Sequence, residues 1–504
     1  MDKPELLKRL SFGQRVAEEE AEHLASYFVE TDQWRRLFSG EIDVVYGPKG
    51  SGKSALYSTV VARATELFDR GILIQPAENP RGTPAFAGLV ADPPTSEPEF
   101  VFLWKIYLLS LVAKLLLDFE LRNEASKYVL DELGAAGLVS APGSSLQAIL
   151  KAAMDYVKSI GSVEGEMAVD PVTGVPVAIR ARITFSEPSP DQAARGAVSV
   201  DAMLKHAADA FEAEGLSVWM LLDRLDVAFS ESRELEKNAL RALFRVYLDL
   251  QALDSINLKI FLRTDIWAAI TEEGFREGSH VTRQLTISWD RSSLLNLVVQ
   301  RLVGNDAVIG GFSVEAVEVL ASAENQDRLF YRAFPDQVDL GGRRPKTFDW
   351  LAGHTKDGHG VTAPRELIHL LTESRNVQLK RLERGEAEPP DEQIIDRQSI
   401  REAMPEVSRV RLEQTLYAEY AGLKPFIEAL AGEKTLQSVA SLVKIWKVEP
   451  DEARRAADEL VDIGFFEPRG PKAEPTYWVP FMHRSALGMI QGSVEGLDDA
   501  GLDD

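Results

Sequence analysis

The chain has 504 residues, too long for one ordinary domain, and its length predicts two to four. Apolar residues make up 45%, enough for sizeable cores, and the absence of cysteine excludes structural disulfides and cysteine zinc sites and fits a reducing, cytoplasmic setting. The formal net charge of −23 repels phosphate backbones over long range, so non-specific nucleic-acid binding loses its usual driving force.

In chain order, residues 1–40 read as a helical segment whose charged start has no apolar signal core. "IDVVYG", 42–47, is a short β-rich run stopping at glycine, and a helical pattern follows from Ser54 to about Arg70, with Gly71 as its stop. "ILIQ", 72–75, is a second strand, followed by a Pro/Gly-rich loop. Residues 99–160 are helical. Within them "VFLWKIYLLSLVAKLLLDF", 101–119, carries Lys105, Lys114 and Asp118, so it reads as a buried core or interface helix rather than a membrane span.

"MAVDPVTGVPVAIRARITF", 167–185, alternates around a turn and predicts a β-hairpin. A helix from about Val200 to Glu214 precedes a strand at 217–222, and further strands are read at 258–265 and 284–289. Strands alternating with helices predict an α/β, doubly wound, mainly parallel sheet. The predicted organisation is an α/β core at 41–300 with a long stretch between strands at about 76–200. A helical lid at 301–384, a winged helix at 394–491 and an acidic tail at 492–504 follow, with a Pro- and acid-rich linker at 384–393.

The firmest motif is "GPKGSGKS": Gly47, Pro48, Lys49, Gly50, Ser51, Gly52, Lys53 and Ser54, with Ala55 next. It matches G-x-x-x-x-G-K-[ST] between a predicted strand and a predicted helix. Its glycines let successive N–H groups face phosphate oxygens, and the following helix adds its positive end. Lys53 would reach the β- and γ-phosphates and Ser54 would bind Mg²⁺. A chance match of the four fixed positions arises about one or two times in a hundred for such a length.

A phosphate loop needs a carboxylate on a neighbouring strand to hold Mg²⁺, and "VWMLLD" supplies Asp223. Arg224 follows where many ATPases carry a glutamate, leaving Asp226 either to polarise water or to cap the next helix. "FLRTD" ends another strand with Arg263, Thr264 and Asp265, so Arg263 or Thr264 would sense the γ-phosphate, unless Arg263 is simply ion-paired. "TAPREL" sets Arg365 at a helix start from which it could project toward a phosphate. His354 and His359 in "GHTKDGH" read as solvated loop histidines, and "GGRRPK", 341–346, as a plain basic loop.

In this order "GPKGSGKS", "LLDRLD", "FLRTD" and "APREL" resemble the Walker A, Walker B, sensor-1 and sensor-2 positions of AAA+-related ATPases. They are similar to STAND-type and KAP-type signalling NTPases and to ORC/Cdc6-like ATPases. "FGQRVAEEEAEHLASYFVET" and "LLDRLDVAF" are also similar to uncharacterised bacterial P-loop ATPases that occur near anti-phage defence genes. The resemblance implies a five-stranded sheet, a helical lid and a winged helix. It implies ATP and Mg²⁺ held by Lys53, Ser54 and Asp223, with Arg263 and Arg365 as sensors and Tyr27 and Phe28 near the base. STAND and KAP proteins often read D-D-x-D or D-D-L-D where this chain reads D-R-L-D, which implies slow hydrolysis.

The implied function is a switch ATPase controlling self-association or a protein effector. The alternatives are an ORC/Cdc6-like DNA-associated ATPase and a nucleotide-binding partner without turnover. "EPDEARRAADELVDIG", where a winged helix would read DNA, holds six acids and two arginines, the wrong sign for a groove. Arg224, Arg283, Arg301 and Arg343 remain open as arginine-finger candidates.

Overall fold

A computed structural model describes residues 2–14, 28–79, 85–86, 93–94, 96–161, 182–225, 232–272 and 274–494. The chain forms two compact units. One comprises Asp32–Gly47 with Lys53–Ile287, the other Met1–Thr31 with Pro48–Gly52 and Ser288–Asp504.

The first unit is built on five strands: β1 (Val44–Gly47), β2 (Ile72–Pro76), β3 (Ser217–Leu222), β4 (Ile256–Arg263) and β5 (Gln284–Thr286). They lie in the order β2-β3-β4-β1-β5, every pairing parallel. Parallel neighbours need crossover connections, which here include α1 (Lys53–Ala62), α2 (Glu97–Asp118), α3 (Val200–Glu212), α4 (Arg233–Leu250) and α5 (Thr264–Glu272). All four residues of β1 are buried, as is β3 after Ser217, which is why both read as unbroken apolar runs. The edge strand β5 alternates exposed, buried, exposed, and it ends at Thr286, short of the predicted 289. The strand predicted over 258–265 begins two residues earlier and stops at Arg263; Thr264 and Asp265 open α5.

The order corrects one expectation. β4 lies between β1 and β3, so Asp223 stands two strands from the phosphate loop and Arg263 stands between them. The helix predicted from Ser54 to Arg70 is also two helices, Lys53–Ala62 and Ala64–Phe68. The break falls at Arg63, whose guanidinium lies over the rings of Trp34 (5.2 Å) and Phe38 (5.7 Å). Gly71 closes the turn at φ +76°, where an added Cβ would meet the Gly215 carbonyl at 3.0 Å. Only a residue without a side chain fits there.

The apolar segment flagged in the sequence forms α2. Ser96 caps it by accepting from the Glu99 N–H, and Pro98 sits in its first turn. Among the described residues it is the one helix long and apolar enough to cross a membrane, and 89% of its apolar window is buried inside the protein. It is apolar on nearly all sides because it sits at the centre of the main core, packed with α3, α4 and the sheet. Its buried Lys105 is held by Asp201 and Asp249, each at 2.6 Å. Among the described residues between β2 and α3, the helices share the sheet's own core. Of the predicted hairpin at 167–185, residues 167–181 lie outside the described residues, and Ile183–Thr184 pairs in parallel with Val198–Ser199.

The second unit is helical through α6 (Arg291–Val303), α7 (Pro364–Glu383) and α8 (Arg397–Arg411), with shorter helices between them. A core of leucine, valine and phenylalanine joins them to the N-terminal helix Lys3–Arg9. After a π-helical turn at Leu412–Leu416 comes a separate small core. It packs α9 (Val439–Trp446) and α10 (Pro450–Asp462) with four strands: β6 (Lys434–Ser438), β7 (Glu467–Arg469), β8 (Thr476–Trp478) and β9 (Ile490–Ser493). Their order is β9-β6-β8-β7. The two aromatic-rich runs around the Gly/Pro turn form β7 and β8, antiparallel, with Trp478 opposite Glu467. Residues 495–504 of the acidic tail lie outside the described residues.

Candidate functional site

The phosphate-loop motif leaves the C-terminal end of β1 and enters α1. Lys53 opens α1, and its Nζ donates to the Gly47 carbonyl at 2.8 Å, arching back over the loop it follows. Ser54 and Ala55 occupy the next positions of α1, half-buried, at the end that carries the helix's positive potential. Within the loop Gly50 and Gly52 take φ of +82° and +104°, conformations that side chains disfavour.

The other strand ends of the sheet converge at the same edge. Gly47 pairs directly with Arg263, and Leu222, the residue before Asp223, pairs with Ile260. Asp223 is buried at 4% exposure. Arg224 adopts a left-handed backbone (φ +57°), which costs a side-chain-bearing residue about 1–2 kcal/mol. Its guanidinium donates to the Asn79 carbonyl at 3.4 Å, toward the turn after β2. Arg263 makes a two-point ion pair with Asp265, at 3.0 and 2.6 Å, one of the two readings the sequence left open. Asp226 and Tyr27 lie outside the described residues.

The middle of the loop, Pro48–Gly52, belongs to the second unit and has its own contacts there. An added Cβ at Gly50 would sit 3.1 Å from the Arg365 Cβ and 3.5 Å from its Nε, so Arg365 lies against the loop backbone. Trp289 Nε1 donates to the Ser51 carbonyl at 2.8 Å, and Lys49 forms an ion pair with Glu419. Arg365 was marked by its helix start. Trp289 read as a strand end, and nothing near Glu419 in sequence pointed to the loop.

Within the first unit, Lys53, Ser54 and Asp223 are of the types that fit a triphosphate and Mg²⁺. The loop is drawn close against Arg365 without side chains at Gly50 and Gly52, and the buried Ser51 hydroxyl has no hydrogen-bond partner. Ser54 and Asp223 supply the oxygen donors that a hard cation takes, and Mg²⁺ completes its shell from phosphates and water.

Other candidates resolve differently. His354 is not a solvated loop residue: it ends the helix Thr347–His354, with its ring between Trp350 (3.6 Å) and Phe481 (4.3 Å). Burial lowers its pKa to about 4. His359 is exposed, as are all residues of the 341–346 loop, and burial resumes at Thr347. Of the arginine-finger candidates, Arg283 pairs with Asp43 (3.0 Å), Arg301 donates to the Phe12 carbonyl, and Arg343 is exposed.

No protein-family model matches the chain. No curated protein matches it. Among solved structures it is similar to the ORC2 protein of Aeropyrum pernix in its ADPNP–ADP complexes, at 14% identity over 93% of this chain and 94% of that one, with a TM-score of 0.30. The ADP form of that protein matches at 15% identity over 93% and 90%, TM-score 0.31. The Walker-type ATPase paby2304 of Pyrococcus abyssi matches at 11% identity over 92% and 96%, TM-score 0.37. Likenesses this loose assign no residue a role.

Proposed function

We propose that the chain is a Mg²⁺-dependent P-loop ATPase of slow turnover that works as a switch. The observation that carries this reading is the complete phosphate-loop motif at the end of β1, with Lys53 folded back on the Gly47 carbonyl and the glycines in left-handed conformations. The loop N–H groups and Lys53 would hold the β- and γ-phosphates, and Ser54 and Asp223 the Mg²⁺, which neutralises phosphate charge. Arg263 and Arg365 are the proposed sensors of the γ-phosphate. Slow turnover rests on Arg224 standing where an acid would polarise the attacking water. Asp226 keeps both of its sequence readings, water polarisation or helix capping.

The helical segment α6–α7 is proposed as the lid and the small module around β6–β9 as a winged helix that meets other proteins rather than DNA. α10 carries Asp451, Glu452, Asp458, Glu459 and Asp462, the wrong charge for a groove. Control of self-association or of a protein effector, in bacterial defence, rests on the sequence resemblance alone.

The test is phosphate release with Mg²⁺ and ATP. Wild type should turn over slowly, and Asp223→Asn should reduce the rate about 100-fold. Binding without release in wild type would favour the nucleotide-binding partner. Sub-micromolar DNA affinity with a steep salt slope would favour the DNA-associated ATPase.

A further inference from the structure

The turn after β2 carries a buried acid that no motif identified. Glu78 is 1% exposed. The β2–β3 register sets Pro76 opposite Leu221, the former two residues before Glu78 and the latter two before Asp223. The Ala77 N–H donates to the Leu221 carbonyl at 2.8 Å, carrying the pairing past the end of β2. One carboxylate oxygen of Glu78 is occupied: Oε1 accepts from the N–H groups of Asn79 and Ala85, both at 2.6 Å. The other, Oε2, is buried without a hydrogen-bond partner.

Among the described residues, the Phe86 N–H also favours the ionised carboxylate. Tyr57 on α1 donates to the Glu78 carbonyl at 3.0 Å, and Tyr107 on α2 donates to the Ala77 carbonyl at 2.7 Å. Arg224 reaches in from the end of β3 to the Asn79 carbonyl and its charge favours the ionised Glu78. The residue that replaces the expected acid after Asp223 therefore reaches the turn that carries this acid.

We propose that Glu78 supplies the water-polarising carboxylate that β3 lacks after Asp223, with Arg224 as its positioning residue. This rests on the ATPase reading. The water oxygen bonds the γ-phosphorus as the bond to the bridging oxygen breaks. ADP leaves with that electron pair, and the water's proton passes to Glu78 Oε2.

The competing role is a staple for the turn, which Oε1 alone performs. Glu78→Gln separates the two, since the amide keeps that acceptor oxygen and removes the charge. In E78Q, phosphate release should fall about 100-fold while affinity for a non-hydrolysable ATP analogue and the melting temperature hold near wild type. Adding Arg224→Glu, which restores an acid after Asp223, should recover about tenfold of the loss, a rescue that a staple would not give. Undiminished release in E78Q, loss of affinity or stability along with release, or no recovery in the double variant each overturns the proposal. A wild-type chain that binds no ATP, or binds it and releases no phosphate, refutes the ATPase reading itself, whereas wild-type release that E78Q leaves intact overturns the Glu78 role alone.

Discussion

Lys49, in the middle of the phosphate loop, is ion-paired with Glu419, a residue 370 positions later at the threshold of the C-terminal module. Both side chains keep part of their surface in water (30% and 22% exposed), so the pair is worth little as stability. Its electrostatic effect is on the ligand: Glu419 brings negative charge beside a loop built for phosphates. Glu419→Gln should raise ATP affinity about threefold at low salt, with the gain shrinking as salt rises. Calorimetric titration at two salt concentrations reads this directly, and unchanged or weaker affinity would contradict it.

Gly50 is constrained twice, by its φ of +82° and by Arg365 at 3.1 Å from where its Cβ would lie. Gly50→Ala should cost about 1–2 kcal/mol from the left-handed backbone alone. Thermal denaturation should show the loss, and ATP affinity should drop with it. Gly137, also left-handed (φ +74°) but with open space around it, is the control: Gly137→Ala should lower stability and leave affinity unchanged.

One residue from Arg365, Glu366 makes a buried ion pair with Arg411 at the end of α8 (3.1 Å). Glu366 Oε2 and Arg411 Nε have no further partner. Removing one charge strands the other, so Arg411→Met should destabilise the protein by about 3–5 kcal/mol, and Glu366→Met with Arg411→Met should recover most of it. Denaturant titration of the single and double variants tests this; equal losses in both would show that the charge pair is not the cause.

Acid should weaken the second unit through two histidines. His483 is fully buried, stacked on Phe465, and burial lowers its pKa from 6.5 to about 3, with Arg411 adding to the effect. His354 falls to about 4. Between pH 6.5 and those values the unfolded chain binds protons that the folded chain refuses, so stability falls as pH drops, by at most about 1.4 kcal/mol per pH unit for each histidine. Glu78, raised to about 7, acts in the opposite sense. The measurement is therefore a difference: His483→Phe should show a shallower loss of denaturant midpoint from about pH 6.5 to about pH 4.5 than wild type. Parallel slopes would contradict it.

What was legible in the sequence follows from how local each signal is. The phosphate loop, the strand ending at Asp223 and the helix opening at Pro364 are each written in a few consecutive residues, and all stand where they were read. The sheet order was not legible, because nothing in "VWMLLD" says that β4 will pair on one side and β2 on the other. The break at Arg63 depends on Trp34 and Phe38, about thirty residues earlier, and the burial of His354 on Phe481, far later in the chain. Glu78 sits in a Pro/Gly-rich stretch that reads as loop, and only the β2–β3 pairing brings its turn beside the end of β3.

The central claim is that the loop at the end of β1 grips ATP through Lys53. Calorimetric titration of wild type and Lys53→Ala with ATP and Mg²⁺ tests it most directly. One site per chain in wild type and an affinity at least about 100-fold weaker in the variant are expected. Equal affinity in the two proteins, or no binding to either, would contradict it.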